Sequence, residues 1–371
     1  TDTAAIPDGQ TGSIMANTAG EDAVGRLFPN FAVEPDLYVY RIEPIQGTAS
    51  VMVMDEAAYN AARFMNKDIV TPDTLGANIP LFRVTEYAQA RTAPAKPVHF
   101  ILHLSHTGST LISRLLDATG TTLGVREPWP LITLAELQDD LGAKHSVISD
   151  AEYAILRDSL VTVWSRTFRP ETTGVVKVTS HAGRAIPDIL KSHETSRAIT
   201  LTLTPEAFIT ALLARQNPIR ELLGFSVERM KRFQRTFGDL SAPVHALTPG
   251  EHAALAWLVE RSVEHDVLTG DGTRERALDV DFDRFLEAPV EELGRMTEHL
   301  QLKASDAAVE AAATGPLMSQ YSKVAGQAFT PEMRRALMTE TRTLRGDDIA
   351  RGMAWLENIA SQSDAAAQLL R

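Results

Sequence analysis

The sequence from Val98 to Leu116, VHFILHLSHTGSTLISRLL, contains the pattern on which the rest of the interpretation depends. Val98 to Leu104 is an apolar run of strand length, and the apolar residues from Leu111 to Leu116 recur at helical spacing. Between them lies SHTGST, residues 105–110, which is small and polar. A strand, a short turn and a helix in this order direct backbone N–H groups and a helix N-terminus towards an anion such as phosphate or sulfate.

Six consecutive residues of this turn are predicted to bind the anion. Glycine is required where the backbone wraps closely around an anion, because a Cβ would occupy the same space. Hydroxyl side chains in the first helical turn add hydrogen-bond donors to the backbone N–H groups there. The predicted binding residues are Ser105, His106, Thr107, Gly108, Ser109 and Thr110.

The turn differs from the P-loop of nucleoside-triphosphate-binding proteins. The pattern G-x-x-x-x-G-K-[ST] would require Gly at position 103 and Lys at position 109, where this chain has His103 and Ser109. The segment from His106 to Thr110, HTGST, instead resembles the phosphosulfate-binding loop of the sulfotransferase family, which reads [K/R]-S-G-T-T and is followed by a helix. The resemblance extends over residues 98–302 by order of elements, and its pattern is most similar to the tyrosylprotein sulfotransferase group.

The composition narrows the functional classes. The chain has 371 residues and a formal net charge of −12, which argues against broad nucleic-acid binding because that function needs a basic face. It has no cysteine, so disulfides, thiolate catalysis and cysteine-bound zinc are excluded. No apolar run approaches the ~18 residues of a membrane span, and the N-terminal segment lacks the features of a signal peptide. We therefore predict a cytoplasmic protein; its oligomeric state leaves no mark in the sequence.

Alternating strands and helices with short connections predict an α/β fold, in which a parallel sheet is covered by helices on both faces. The later segments that predict strands are 123–125, 174–178, 197–203 and 276–280, and the second half of the chain is mostly helical. Residues 1–24 are predicted to be a mobile N-terminus, and residues 25–96 a small α+β appendage with a hairpin at 36–54. The sulfotransferase-like domain is then expected to span 97–371.

Two charged residues follow later strands, at the carboxyl ends where ligands of parallel sheets bind. Lys177 lies in the apolar run GVVKV, where its ammonium is costly to bury unless it emerges at the strand end or meets an anion. Glu127 follows the strand predicted at 123–125. In the tyrosylprotein-sulfotransferase pattern, a glutamate after the loop helix is the general base and a lysine at the second strand end neutralises the transferred group. The resemblance implies these roles for Glu127 and Lys177. The alternatives are an Arg126–Glu127 surface pair or a turn residue for Glu127, and an edge or snorkelling lysine for Lys177.

His106 is the main departure from the family pattern, which has Lys or Arg in its place. Because a neutral imidazole lacks a fixed charge, a catalytic His106 would work protonated or as a donor to the leaving group, and activity would then depend on pH. The alternative is a polar loop residue without a role. His103, His106 and His181 lack the spacing and the acidic partner of an ordinary metal site, so no metal is expected.

The resemblance is weaker at the third strand. The family usually has R-[D/N]-P there and a Ser further along, which together hold the 3′-phosphate of the donor. This chain keeps Pro205 but has Thr204 in place of the Arg. The Ser position falls on Ala211 or, with a one-residue slip, on Thr210. Further candidate donor contacts are Arg215, Ser322 and Lys323. The donor implied by the resemblance is 3′-phosphoadenosine 5′-phosphosulfate, and a donor without the 3′-phosphate stays open.

Two other groups of charged residues have structural interpretations. Most of the basic residues after Ala214 are expected to form a solvated helix face, with an anion site as the alternative. They are Arg215, Arg220, Arg229, Lys231, Arg232 and Arg235. Asp281 follows the last predicted strand and is expected to cap a helix.

Together these features predict a sulfotransferase-like enzyme that transfers a sulfuryl group from a nucleotide donor to a hydroxyl or amine acceptor. Loop amides, Ser109, Thr110 and Lys177 would hold the charge that spreads onto the transferred oxygens. Glu127 would serve as the general base. Two alternatives stay open: a kinase-like phosphotransferase on the same fold, and a nucleotide-binding protein without catalysis. The identity of the acceptor cannot be read from these residues.

Overall fold

The computed structural model describes residues 17–66, 69–90, 96–214, 220, 222–319 and 330–371. Its strands are β1 Leu37–Glu43, β2 Thr48–Val53, β3 Gly76–Pro80, β4 Val98–His103, β5 Thr122–Arg126, β6 Thr173–Lys177, β7 Ala198–Thr202 and β8 Ala277–Asp281. The first three form an antiparallel sheet, and the other five form a second sheet in the order β5-β6-β4-β7-β8. The pairings of β7 with β4 and with β8 are parallel. The predicted α/β fold with a parallel sheet is confirmed.

Helices flank the sheets, and short 3₁₀ turns connect some of them, including one at Ser180–Ala185. The described α-helices are α1 Thr18–Leu27, α2 Glu56–Ala61, α3 Leu81–Gln89, α4 Ser109–Ala118, α5 Trp129–Asp139, α6 Asp150–Trp164, α7 Ile186–Ser192, α8 Pro205–Leu213, α9 Ser226–Phe237, α10 Pro249–Thr269, α11 Phe282–Glu287, α12 Pro289–His299, α13 Asp306–Thr314, α14 Pro331–Gln362 and α15 Asp364–Leu369. None of the helices within the described ranges has the combination of length and apolarity needed to cross a bilayer.

The chain folds as two compact units, and each is made of two separate stretches of sequence. Unit 1 comprises Thr1–Val98 and Leu123–Val176, and unit 2 comprises His99–Thr122 and Lys177–Arg371. Residues 123–176 therefore group with the N-terminal part of the chain, whereas the sequence analysis places them in the domain at 97–371.

Unit 1 contains the predicted hairpin, in which β1 and β2 pair from Leu37 opposite Val53 to Glu43 opposite Thr48. Two features differ from expectation. β3 and α3 are additional elements, and α1 occupies part of the segment predicted to be mobile. α1 forms because the Asn17 side chain accepts a hydrogen bond from the Gly20 N–H at 2.7 Å, which caps the helix. Residues 1–16 lie outside the described part of the chain.

Unit 2 is built around β4, whose six residues are all buried, and around the long buried helix α10. α10 packs against α8 and α14. Its contact with α14 needs two glycines, because a Cβ on Gly250 or on Gly352 would overlap the facing backbone. The predicted start of α8 is confirmed: Thr204 is the N-cap and Pro205 the first helical residue.

Candidate anion-binding site

The loop between β4 and α4 follows the predicted order of strand, turn and helix, and its backbone is unusual. Ser105 and His106 have positive φ angles of 79° and 54°, and Gly108 has a φ of 73°. Non-glycine residues in this region cost about 1–3 kcal/mol each, and such strain concentrates at functional sites. Left-handed residues in close succession turn backbone N–H groups towards a common point, as in anion-binding nests. The loop therefore has the backbone strain that is typical of functional sites.

Gly108 has no room for a side chain, for a reason that the sequence does not show. A Cβ at Gly108 would overlap the ring of Phe282, the first residue of α11. That ring lies 5.7 Å from the Arg334 guanidinium carbon and 6.0 Å from the Phe285 ring. The sequence analysis attributes this glycine to the approach of an anion; packing against α11, together with the positive φ, already requires it.

α4 begins without a side-chain cap. Its N-cap residue is Gly108, which has no side chain that could bond the N–H groups of the first helical turn. Ser109 and Thr110 are the first two helical residues, and both are buried. A helix start of this kind carries partial positive charge and free donors, so an anion is its complementary ligand.

Two buried threonine hydroxyls lie on either side of Gly108. Thr107 is 0% exposed and Thr110 is 2% exposed, and neither Oγ1 atom has a hydrogen-bond partner within the described residues. Leaving a buried hydroxyl unsatisfied costs about 1–3 kcal/mol. Buried polar groups are usually satisfied, and exceptions require an explanation. Two such groups thus lie in one strained loop, on either side of Gly108.

The residues that follow β6 lie beside β4 and the loop after it. The Val178 N–H donates to the Ile101 carbonyl of β4 at 3.0 Å, and Ser180 Oγ lies 2.7 Å from Ser105 Oγ. Lys177 is the last residue of β6 and is 1% exposed. Burial of an ammonium to this degree requires polar or charged partners. The structure thus brings the predicted Lys177 and the loop to neighbouring strand ends.

Glu127 belongs to unit 1, where it follows β5 with a positive φ of 57°. This is a strained conformation for a glutamate, of the kind that concentrates at functional sites. Its neighbour Arg126 is 1% exposed and donates to the carbonyls of Tyr59 and Ala62 at 3.1 and 2.6 Å. Arg126 is therefore buried and bonded to backbone carbonyls rather than exposed at the surface. The role of Glu127 as a base stays a prediction.

The remaining residues predicted to contact the donor have local partners or lie outside the described chain. Thr204 Oγ1 accepts a hydrogen bond from the Ala207 N–H at 3.4 Å as the cap of α8. Thr210 is fully buried, and its hydroxyl donates to the Glu206 carbonyl at 2.7 Å. The Thr210 O–H is thus committed within α8, whereas Thr204 contributes only an acceptor there. Arg215, Ser322 and Lys323 lie outside the described residues.

The prediction of a solvated basic face is wrong for two residues of α9. Lys231 and Arg235 are exposed, as expected, but Arg229 and Arg232 are 3% and 5% exposed. Both buried arginines pair with Glu260 of α10: Arg229 Nε lies 3.1 Å and Arg232 Nη2 lies 2.7 Å from Glu260 Oε1. The sequence does not reveal this because the acidic partner lies on another helix.

Two of the three histidines singled out in the sequence, His103 and His181, have identified contacts with neighbouring residues. His103 Nδ1 accepts a hydrogen bond from the Ser105 N–H at 3.0 Å, and the His181 ring stacks on Phe225 at 4.3 Å. In the part of the chain that the structure describes, no group of three or more His, Cys, Asp or Glu side chains is arranged to hold a metal ion.

Two residues of the site are missed by sequence reasoning. Ser180 contacts the loop, and Phe282 packs against Gly108. The sequence does contain a pattern that places Phe282 at the start of a helix. Asp281 is predicted to cap a helix and does so, accepting the Arg284 N–H at 2.8 Å, which makes Phe282 the first helical residue. No local pattern marks Ser180, because its loop partner Ser105 is distant in the sequence.

Comparison with known proteins finds similarity in structure only. No protein-family model matches the chain, and no curated protein sequence matches it. The chain is similar to a sulfotransferase domain from the curacin biosynthetic pathway, with 15% identity over 67% of this chain and 91% of that domain, and a TM-score of 0.37. It is also similar to the sulfotransferase STF9 from Mycobacterium avium, with 15% identity over 90% of this chain and 98% of that protein, and a TM-score of 0.36. The similarity to mouse sulfotransferase SULT7A1 complexed with PAP has 10% identity over 71% of this chain and 90% of that protein, and a TM-score of 0.32.

These solved structures belong to the family that the loop pattern resembles. Their identities and TM-scores are low, so the roles of individual residues are argued below from the geometry of this chain alone.

Proposed function

We propose that the chain is a sulfotransferase-like enzyme that moves a sulfuryl group from a nucleotide donor to a hydroxyl or amine acceptor. One observation carries the proposal: the loop before α4 buries two threonine hydroxyls without a described partner, beside a helix start that has no side-chain cap. Rigidly held donors of this kind suit a tetrahedral oxyanion, because they need not reorganise when charge develops on it.

The described residues fit one end of 3′-phosphoadenosine 5′-phosphosulfate better than the other. Thr107, Thr110 and the first-turn N–H groups of α4 would hold the 5′-phosphosulfate. The Thr210 O–H already donates to the Glu206 carbonyl, so it does not support a 3′-phosphate contact, whereas Thr204 only accepts from the Ala207 N–H and keeps its own O–H for a donor contact. We therefore assign the loop to the phosphosulfate group, and we leave the choice between donors with and without the 3′-phosphate to experiment.

The roles of the residues follow from the bonds that change. The acceptor oxygen or nitrogen forms a bond to sulfur, and the bond between sulfur and the bridging phosphate oxygen breaks, with its electron pair left on that oxygen. Glu127, which follows the loop, helix and short strand in sequence order, takes the proton of the acceptor. Lys177 and the loop donors stabilise charge on the sulfuryl oxygens, and His106 donates to the leaving oxygen.

Thermal-shift measurements with two nucleotides test the donor class. We expect 3′,5′-bisphosphoadenosine at about 100 times its Kd to stabilise the protein by about 2.7 kcal/mol and to raise Tm by several degrees. Stabilisation by ATP with magnesium, and not by bisphosphoadenosine, would instead support the kinase-like alternative. Stabilisation by neither would contradict nucleotide binding.

Glu127→Gln tests catalysis separately from binding. Glutamine keeps the shape of the side chain but cannot take a proton, so transfer from 3′-phosphoadenosine 5′-phosphosulfate to any acceptor the wild type uses should fall about 100-fold or more. The affinity for bisphosphoadenosine should not change. Glu171→Gln, at an exposed glutamate of unit 1, is the control and should keep both. Equal loss of binding and transfer in Glu127→Gln would contradict the role of a base.

A further inference from the structure

Ser105, the first residue of the loop SHTGST before α4, has a backbone conformation that its own side chain disfavours. Its φ of 79° lies in the left-handed region, where the Cβ of a non-glycine residue crowds the following carbonyl oxygen. The glycine of the loop, Gly108, comes only three positions later. A residue such as serine keeps this conformation only where surrounding contacts hold it there.

The backbone N–H of Ser105 makes one such contact. It donates to Nδ1 of His103, the last residue of β4, at 3.0 Å. Because Nδ1 accepts this hydrogen bond it carries no proton, so the neutral imidazole carries its proton on Nε2. His103 is buried, on a strand whose six residues are all buried. The end of β4 therefore holds the backbone of Ser105 from a well-packed position.

The side chain of Ser105 makes a second contact. Its Oγ lies 2.7 Å from Ser180 Oγ, and both serines are buried. Ser180 opens the 3₁₀ turn Ser180–Ala185 that follows β6. The segment before this turn is joined to β4, because the Val178 N–H donates to the Ile101 carbonyl at 3.0 Å. Two elements of unit 2 therefore hold Ser105, one through its N–H and the other through its hydroxyl.

These contacts change the role expected for Ser105, which the sequence analysis places among the residues that bind the anion. An N–H group that donates to His103 is already committed, and the hydroxyl is shared with Ser180. The donors without a partner among the described residues lie further along the loop, at the hydroxyls of Thr107 and Thr110. The loop is thus divided into a residue that is held by its surroundings and a later segment that offers donors.

We propose that Ser105 is the anchor of the loop rather than a ligand of the anion, and that His103 and Ser180 are positioning residues that hold it in the left-handed conformation. A ligand then meets a loop that already presents Thr107 and Thr110, and its binding does not have to supply the free energy of that arrangement. The inference rests on the proposed function for the identity of the ligand, but not for the existence of the anchor.

The affinity for 3′,5′-bisphosphoadenosine, measured by calorimetry, tests the role of His103. His103→Leu removes the acceptor of the Ser105 N–H, so fewer molecules hold the loop in its binding conformation and Kd should rise about tenfold. His103→Asn should restore Kd to within about threefold of wild type, because the asparagine Oδ1, like Nδ1, is bonded to Cγ and accepts a hydrogen bond. Failure of asparagine to restore binding would show that His103 acts through another atom, and would overturn the proposal.

His99→Leu is the matched control for His103→Leu. His99 lies on the same strand and is buried, and its Nδ1 accepts the Arg197 N–H at 3.1 Å, at the end of β4 remote from the loop. Its replacement should lower the free energy of unfolding and leave Kd unchanged. Equal weakening of binding by His99→Leu and His103→Leu would identify general destabilisation of β4 as the cause, and would contradict the anchor.

A double-mutant cycle tests whether His103 acts through the conformation of Ser105. Glycine adopts a positive φ readily, so a loop with Ser105→Gly no longer depends on the anchor. In that protein, His103→Leu should raise Kd by no more than about twofold. A tenfold rise in both backgrounds would overturn the proposal. If His103→Leu does not fold, Ser180→Ala is measured in the Ser105 protein, where it should raise Kd about fivefold; an unchanged Kd would contradict the anchor.

Amide hydrogen exchange reports on the anchor without any ligand. The Ser105 N–H should exchange slowly in wild type and in His103→Asn, and about tenfold faster or more in His103→Leu. Fast exchange in wild type would overturn the anchor. Failure of wild type to bind bisphosphoadenosine would instead contradict the proposed function, and the exchange measurement would still decide the anchor.

Discussion

Gly108 shows how one residue meets two demands at once. Its positive φ of 73° favours glycine, and the ring of Phe282 fills the space where a Cβ would lie. Either demand alone would leave some room for substitution, since left-handed strain costs about 1 kcal/mol and a neighbouring side chain can shift. Together they tie the shape of the anion-binding loop to the packing of α11.

Gly108→Ala is expected to reduce the free energy of unfolding by about 2–4 kcal/mol, the sum of backbone strain and overpacking. Gly120→Ala is the matched control: Gly120 has a φ of 77°, but its Cβ position is open, so the loss should be only about 1 kcal/mol. Urea unfolding measures both. Adding Phe282→Leu should recover part of the loss in Gly108→Ala, and no recovery would show that the ring is not its cause.

At the scale of the element, the first turn of α4 is less stable than a turn with a capping side chain and satisfied hydroxyls would be. In unit 2, α8 and α10 begin with the capping side chains of Thr204 and Thr248, whereas α7, α9 and α12 have no side-chain cap. α4 instead has glycine at its N-cap and a buried hydroxyl, that of Thr110, without a described partner. A helix start optimised for stability alone would fill these positions differently. Lower stability at a helix start is expected where the same groups bind a ligand.

Thr110→Val should therefore separate stability from binding. Valine has nearly the same shape and removes the unsatisfied hydroxyl, so the ligand-free protein should be stabilised by about 1 kcal/mol. Binding of bisphosphoadenosine should weaken about tenfold, through loss of a hydrogen bond to a charged group. Thermal shift and calorimetry measure the two effects.

Thr297→Val is the control for Thr110→Val. Thr297 is also buried, but its hydroxyl donates to the Gly294 carbonyl at 2.9 Å within α12. Its removal should destabilise the protein and leave binding unchanged. A Thr110→Val protein that binds the nucleotide as tightly as wild type would argue against the loop as the site.

At the scale of the whole molecule, two buried histidines make stability depend on pH. Burial, with the charge of Arg197, lowers the pKa of His99 to about 4, and Arg197 donates its N–H to His99 Nδ1 at 3.1 Å. Burial also lowers the pKa of His181 to about 3. In the unfolded chain both would titrate near 6.5. The unfolded state therefore binds more protons below that pH, and stability is lost as the pH falls from 6.5 towards 4.

His99→Gln should make the free energy of unfolding less dependent on pH between 7 and 5. The glutamine oxygen can still accept the Arg197 N–H, but it takes up no proton, whereas neutral His99 accounts for about 2 kcal/mol of acid sensitivity in this range. Urea unfolding at several pH values measures the slope. His245→Gln, at an exposed histidine, is the control. Equal slopes for wild type and His99→Gln would contradict the assignment.

Elements with strong local signals were predictable. The strand at Val98–His103, the cap and proline at Thr204 and Pro205, and the cap at Asp281 follow from composition and spacing within a few residues. The strand β3 was not predictable, because its sequence GANIP contains residues that disfavour strands. It forms as an edge strand paired with β2, so its partner, rather than its own propensity, determines its conformation.

For this protein, local patterns in the chain are sufficient for the α/β class, the strand, turn and helix between Val98 and Ala118, and the placement of Lys177 at a strand end. Long-range packing supplies what they omit: the Phe282 ring against Gly108, the Ser180 hydroxyl on Ser105, and Glu260 opposite Arg229. The reason is physical. Propensities and caps act over a few neighbouring residues, whereas these contacts join segments that meet only when helices and strands pack, and many pairings are compatible with the same local pattern.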